Sequence, residues 1–275
     1  MQKKIYNLEK KSNQIRNQIL EMIVSAGKGH IGGALSCTDI IVALFYGEIL
    51  RYDPLRPDWS ERDRFILSKG HSCTALYSVL ADLGYFQKSE LGKYGKNGCM
   101  LGGHPDRRIP GVEADTGSLG HGLGIAIGLA LSVKMDKSDS ITVVLLGDGE
   151  SCEGSVWETA MFAAHHRLNN LVAIVDRNEQ CATDFVENCL KLDPLDDKWK
   201  AFGWDVTVIN GHSFEELLAV FNDIHSRTSD RPLAVIANTV KGKGISYMEG
   251  KIDWHHSVPK GQEVEIARRE LKWNL

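Results

Sequence analysis

The run Val143-Val144-Leu145-Leu146-Gly147-Asp148-Gly149 decides the fold class of this chain. Four consecutive β-prone apolar residues give way to an aspartate between glycines, the pattern of a strand buried on both faces that delivers a polar group at its carboxyl end. The arrangement returns at Leu171-Val172-Ala173-Ile174-Val175-Asp176-Arg177-Asn178. Working outward, strands are predicted over 65–67, 141–146, 171–176, 204–210 and 233–238, with helices over 155–166, 196–202 and 213–227. Continuous Val/Ile/Leu strands interleaved with helices mean an α/β fold: a doubly wound, mainly parallel sheet with helices on both faces. Towards the N-terminus, Ile5, Leu8, Ile15, Ile19, Met22 and Ile23 fall at helical spacings, and that helix stops at Gly27-Lys28-Gly29-His30. Further helices are predicted over 37–50 and 74–83. An apolar, glycine-rich segment running from Gly122 to Val133 reads as a buried helix. Residues 92–116 are poor in apolar side chains and rich in Gly, Asp and Arg, so they form a long loop of the kind that lines a site.

A chain of 275 residues suffices for one large domain with a fully buried sheet, and a single domain over 1–275 is expected. Its hydrophobic fraction of 43% and charged fraction of 25% are those of an ordinary globular protein. The net charge of −4 argues against a nucleic-acid footprint, which needs clustered Lys and Arg. The six cysteines are scattered without a C-x-x-C pair, so they read as reduced thiols rather than a zinc site or disulfide framework. There is no signal-peptide core and no run near the ~20 apolar residues of a membrane span, so the cytoplasm is the expected compartment.

In a doubly wound sheet ligands bind beyond the carboxyl ends of the strands, which places Asp148 and Asn178 in one crevice. Magnesium takes oxygen ligands, few from protein and the rest from phosphate and water. Asp148, the Asn178 side chain and a backbone carbonyl just after it, at Gln180, would suit a Mg-diphosphate, and Gly149 lets the backbone approach the phosphates. For the Gly-Asp-Gly tripeptide alone, a turn that merely ends a strand is the plainer reading. Four histidines stand in glycine-rich or strand-end contexts: His30 in Gly-Lys-Gly-His-Ile-Gly-Gly, His71 in Ser-Lys-Gly-His-Ser, His104 in Gly-Gly-His-Pro, and His255 in Asp-Trp-His-His. Singly, each reads as a surface or satisfied core histidine.

Gly147-Asp148-Gly149 with Asn178 resembles the thiamine-diphosphate motif, and the stretch from Gly147 to Glu158 is similar to transketolases in particular. The resemblance runs from Ser25 to Pro259. It implies thiamine diphosphate and Mg²⁺ as cofactors, with Asp148, Asn178 and Gln180 as metal ligands. It also implies that His30 and His104 hydrogen-bond the hydroxyls of a sugar donor, while His71 and His255 lie near the diphosphate and the reacting carbons. A ketose whose C–C bond breaks must lose a hydroxyl proton, which an imidazole can carry near neutral pH, and His255 is the candidate. By the same resemblance Lys241 approaches the cofactor, and Gly117, Ser118 and Leu119 present backbone atoms to its aminopyrimidine ring. His121 stands where the family commonly has Gln, and His256 where it often has Gly.

Thiamine enzymes place the cofactor between two domains, the second supplying an activating Glu. Only the diphosphate-binding (PP-type) domain is recognisable here, and residues 260–275 read as a polar tail. The pyrimidine-binding and C-terminal domains are therefore expected on a partner chain, as in bacterial split transketolases that assemble as α2β2 heterotetramers. Glu153 and Glu158 resemble glutamates near the family's dimer interface. The expected activity is transfer of a two-carbon ketol unit from a ketose to an aldose phosphate. Residues 178–184 depart from the common transketolase continuation, which leaves the donor open between xylulose 5-phosphate and a modified ketose, a sulfosugar or branched-sugar derivative. The competing readings are a deoxyxylulose phosphate synthase, a 2-oxo-acid dehydrogenase component and a non-catalytic cofactor-binding protein with a regulatory role.

Overall fold

A computed structural model describes residues 1–273. Strands β1 (Arg64–Leu67), β2 (Thr142–Gly147), β3 (Leu171–Arg177), β4 (Asp205–Asn210) and β5 (Leu233–Asn238) pair in parallel in the order β1-β2-β3-β5-β4. Because side chains alternate along a strand, each apolar run feeds two cores. Val143, Leu145, Val172 and Ile174 enter one, and Val144, Leu146, Ala173 and Val175 enter the other.

The first core is covered by α1 (Gln2–Ala26), α2 (Ile31–Ser36), α3 (Thr38–Tyr46) and α4 (Cys73–Leu83). The second is covered by α5 (Gly122–Met135), α6 (Gly154–His165) and, past the single turn α7 (Val186–Cys189), by α8 (Leu195–Ala201). Two later helices, α9 (Phe214–Phe221) and α10 (Gln262–Trp273), return to the first face. The sheet is thus doubly wound. Each fully buried Val, Leu or Ile contributes roughly 1.5–3 kcal/mol, so this two-sided burial is what holds the strand ends, and the site on them, in place.

Three sequence expectations change. The helix predicted over 37–50 is the shorter α3, which Cys37 separates from α2 before it, and it stops at Tyr46 because Glu48 turns into the left-handed region at φ 62°. The helix predicted to reach 227 ends at Phe221, where Asn222 and Asp223 favour turns over continued helix. The tail read as polar is largely α10: Val264, Ala267 and Leu271 recur at helical spacing and are buried, and Arg268 pairs with Glu21 of α1. Residues 274–275 of that tail lie outside the described residues. The loop over 92–116 holds no α-helix or strand after the 3-10 turn that ends at Lys93.

Candidate active site

The floor of the site follows from strand register. Gly147 of β2 lies opposite Asp176 of β3, so Asp148, one residue on, and Asn178, two residues on, leave the sheet at neighbouring strand ends. Asp148 is 2% exposed and accepts hydrogen bonds from the backbone N–H of Gly149 (2.8 Å) and of Glu179. Burial, and then the neighbouring Asp176 charge, push its carboxyl up to about 7, although the two backbone N–H groups pull the other way. Glu179 is left-handed at φ 64°, a costly conformation for a side chain, and it turns the chain so that Gln180 and Cys181 face the cavity. Lys241 Nζ donates to the carbonyls of Gln180 (3.2 Å) and Cys181 (2.8 Å). Burial, and then the Lys69 charge, lower its ammonium to about 8.

Two buried acids brace this floor. Glu150 accepts from Ser68 Oγ after β1, from Gly120 N (3.0 Å) and from Gly147 N (3.0 Å), which ties the 117–122 turn to two strand ends. Asp176 is ion-paired with Lys69 and also accepts from Ser36 Oγ (2.6 Å) and Thr239 Oγ1.

Above the floor the imidazoles converge. His30 caps the start of α2, and the backbone can place it there because Gly29, at φ 148°, lies where a Cβ would come within 2.8 Å of Ile23. Its ring centroid is 5.2 Å from that of His71, 5.4 Å from His255, 6.3 Å from His104 and 4.4 Å from His256. His71 and His255 are 5.3 Å apart. Gly117, at φ 141°, packs under His104, where a Cβ would meet the ring at 2.6 Å. Burial is the first cause that lowers His30 to about 4, His71 to about 2 and His255 to about 3, followed by neighbouring imidazoles and the Lys69 and Lys241 ammoniums. Neutral imidazoles can both donate and accept a proton.

His30, His71, His104, His255, Gly117, Leu119, Asp148, Gly149, Asn178, Gln180 and Lys241 all line one cavity of about 290 Å³. Ser118 lies between Gly117 and Leu119 and is not part of the lining. His121 caps the start of α5 with its ring against the Leu119 carbonyl (3.1 Å), and Glu153 and Glu158 stand at the start of α6, outside the cavity lining. His256, without an assigned role in the sequence, joins the imidazole cluster. Sequence reasoning missed Lys69, Glu150 and Asp176. The available signal was a charged residue closely following an apolar strand, a position that burial makes costly unless a partner is present. Larger clefts of about 590, 480 and 320 Å³ flank α1 without convergent imidazoles.

The residues fit a metal-bound diphosphate. Among the described residues no three His, Cys, Asp or Glu side chains are grouped as a metal site. The floor instead offers one carboxylate with amide and carbonyl oxygens, the donor type that a hard divalent cation takes alongside phosphate. An ammonium already occupies the carbonyl pair of Gln180 and Cys181, so that corner attracts a cation. His255 Nδ1 and Gln180 Oε1 are buried without a hydrogen-bond partner, as atoms awaiting a ligand would be.

Residues 8–275 match the family described as transketolase, thiamine diphosphate binding domain. The chain is 43% identical over 267 residues to one of the subunits of the apulose-4-phosphate transketolase of Phocaeicola vulgatus, covering 97% of this chain and 94% of that protein. It is 42% identical to the 6-deoxy-6-sulfo-D-fructose transketolase subunit SqwG of a Clostridium species, covering 97% and 96%. Human transketolase is 38% identical over 97% of this chain, which spans 42% of the human protein. The structure of Campylobacter jejuni transketolase superposes with a TM-score of 0.91 at 29% identity, over 96% of this chain and 42% of that one. A parallel sheet carrying Asp148 and Asn178 at adjacent strand ends, the imidazoles above them and these relatives agree: the chain belongs to the transketolase family, to its thiamine-diphosphate-binding domain.

Proposed function

We propose that this chain is the thiamine-diphosphate- and Mg²⁺-binding subunit of a two-chain transketolase, which transfers a two-carbon ketol unit from a ketose to an aldose phosphate. The observation that carries this reading is the cluster of four imidazoles above an oxygen-lined floor, in a chain that matches two transketolase subunits over nearly their whole length. Bound thiamine diphosphate supplies a carbon that takes up and stabilises the two-carbon unit. Asp148, Asn178 Oδ1 and the Gln180 carbonyl hold the magnesium, and Lys241 with the Gly149 backbone faces the diphosphate. His30 and His104 hydrogen-bond the donor hydroxyls. His255, neutral at pH 7, takes the proton from the donor hydroxyl oxygen as the C–C bond breaks.

The remaining domains, and the activating Glu, come from a partner chain in an α2β2 assembly. Support for a partner lies in α5 and α6, which pack together and leave Ile125, Met135, Met161 and Phe162 exposed, a set of apolar side chains that suits a protein interface. The donor is a modified ketose. Two relatives are named for such sugars, and Cys181 and Ala182 of the divergent 178–184 segment line the cavity. The cytoplasm is the fitting compartment, since all six cysteines are free thiols and no helix among the described residues is long and apolar enough to cross a membrane.

The test is ketol transfer from a panel of phosphorylated and sulfonated ketoses, with thiamine diphosphate and Mg²⁺, for this chain alone and mixed with the product of the neighbouring gene. Activity only in the mixture is expected, and it identifies the donor. Activity of the chain alone overturns the need for a partner, and silence in both overturns the catalytic reading.

A further inference from the structure

Lys69 and Asp176 form a full ion pair buried at the ends of β1 and β3, with side chains 2% and 0% exposed. Burying two charges is costly, and apolar residues of similar volume commonly hold a fold as well. The pair lies against the candidate cation site, and its hydrogen bonds have a direction. Four donors converge on the two Asp176 oxygens: Lys69 Nζ, Ser36 Oγ, Thr239 Oγ1 and, at 3.2 Å, Asn178 Nδ2. A carboxylate so surrounded acts only as an acceptor. It welcomes the NH₂ edge of the Asn178 amide and repels the oxygen edge.

An asparagine amide is nearly symmetrical in shape, and which edge points where is set by its partners. With Nδ2 on Asp176, Oδ1 is left to accept from Gln180 N at 3.3 Å and to serve the cavity that Asn178 lines. Turned over, the amide would present N–H donors to a cation, which cannot coordinate them.

We propose that Asp176, itself held by Lys69, is the positioning residue of the cation site, fixing the Asn178 amide so that Oδ1 is offered to a divalent cation. The inference rests on the metal reading above and adds the device that gives the site its oxygen. Lys69 also donates to the Gly33 carbonyl (3.2 Å), so the orientation of Asn178 is braced from α2 as well as from β1.

Binding of Mn²⁺ to the full chain with thiamine diphosphate, followed by the spin resonance of the free ion, tests this. Asp176→Asn keeps the shape but can donate as well as accept, so the amide is no longer pinned. Mn²⁺ affinity is expected to fall by at least about tenfold, while cooperative thermal unfolding persists. Exchanging the pair, Asp176→Asn with Asn178→Asp, keeps the net charge and places oxygen on both edges of the side chain at position 178. That variant is expected to bind within about threefold of the parent, since either edge can now ligate. Unchanged affinity in Asp176→Asn overturns the proposal, as does a folded exchange variant that does not recover. If the single variant fails to fold, the exchange variant carries the test on the same terms. Asp148→Asn separates the two readings: if Mn²⁺ affinity is indifferent to it, the metal reading fails and the positioning role falls with it.

Discussion

His255 combines three properties that make it testable as the proton carrier: it lines the cavity, its pKa is lowered to about 3, and its Nδ1 is buried without a partner. His255→Ala is expected to leave thiamine diphosphate affinity within about tenfold, ~1.4 kcal/mol, and to reduce turnover far more. Unchanged turnover in a steady-state assay rules out the role. The imidazoles also predict a pH dependence of stability. His30 falls from 6.5 to about 4 in the folded chain, so as pH drops below 6.5 the unfolded chain binds the proton first and stability declines until about pH 4. His71 and His255 act in the same direction. The urea midpoint of the cofactor-free chain should therefore fall across this window, and His30→Gln should make the fall shallower. Identical slopes for parent and variant would refute a depressed His30. Asp148, His30 and His104 were legible because their glycine-rich contexts are local; Lys69 and Asp176 were not, because only the fold shows that residues 107 positions apart share a hydrogen bond.

The ends of three elements meet on one side chain. Glu150 joins the residue after β1, the end of β2 and the turn that leads into α5. Its carboxyl is pushed up by burial, against the pull of Ser68 and the Gly120 and Gly147 N–H groups. Glu150→Gln keeps the volume but turns an N–H edge towards donors, and should cost about 1–3 kcal/mol in urea unfolding for the backbone donor left unpaired. A loss below about 0.5 kcal/mol would mean that the turn is held by packing alone. Elements show where local reading succeeds. Strand β5 was legible at its observed bounds because an unbroken apolar run can only be buried. Helix α10 was missed because three small or aliphatic residues among charges look polar until α1 supplies a surface for them.

At the scale of the molecule, α5 and α6 form the outer layer of the second face. Phe162 is 43% exposed and Met161 54% exposed, so neither supports the core. Phe162→Asp is expected to leave the thermal midpoint within a degree or two, about 0.5 kcal/mol for a surface change. It should weaken co-elution with the partner chain on size-exclusion chromatography, and full retention of the complex would place the interface elsewhere. The positioning of Asn178 by Asp176 belongs to this scale too, since it draws on α2, β1, β3 and the segment after β5.

Buried strands with polar termini, repeated along the chain, leave few architectures besides a doubly wound parallel sheet, and the glycine-framed aspartate marks which end of that sheet binds. Both are local, because apolar periodicity and turn chemistry act over a few residues. The strand order with β5 between β3 and β4 was decided only by the tertiary structure, as were the imidazole cluster spanning residues 30 to 256 and the buried Lys69–Asp176 and Glu150 contacts. Long-range pairing of charges and rings depends on which surfaces the chain brings together, and that information is spread over the whole core.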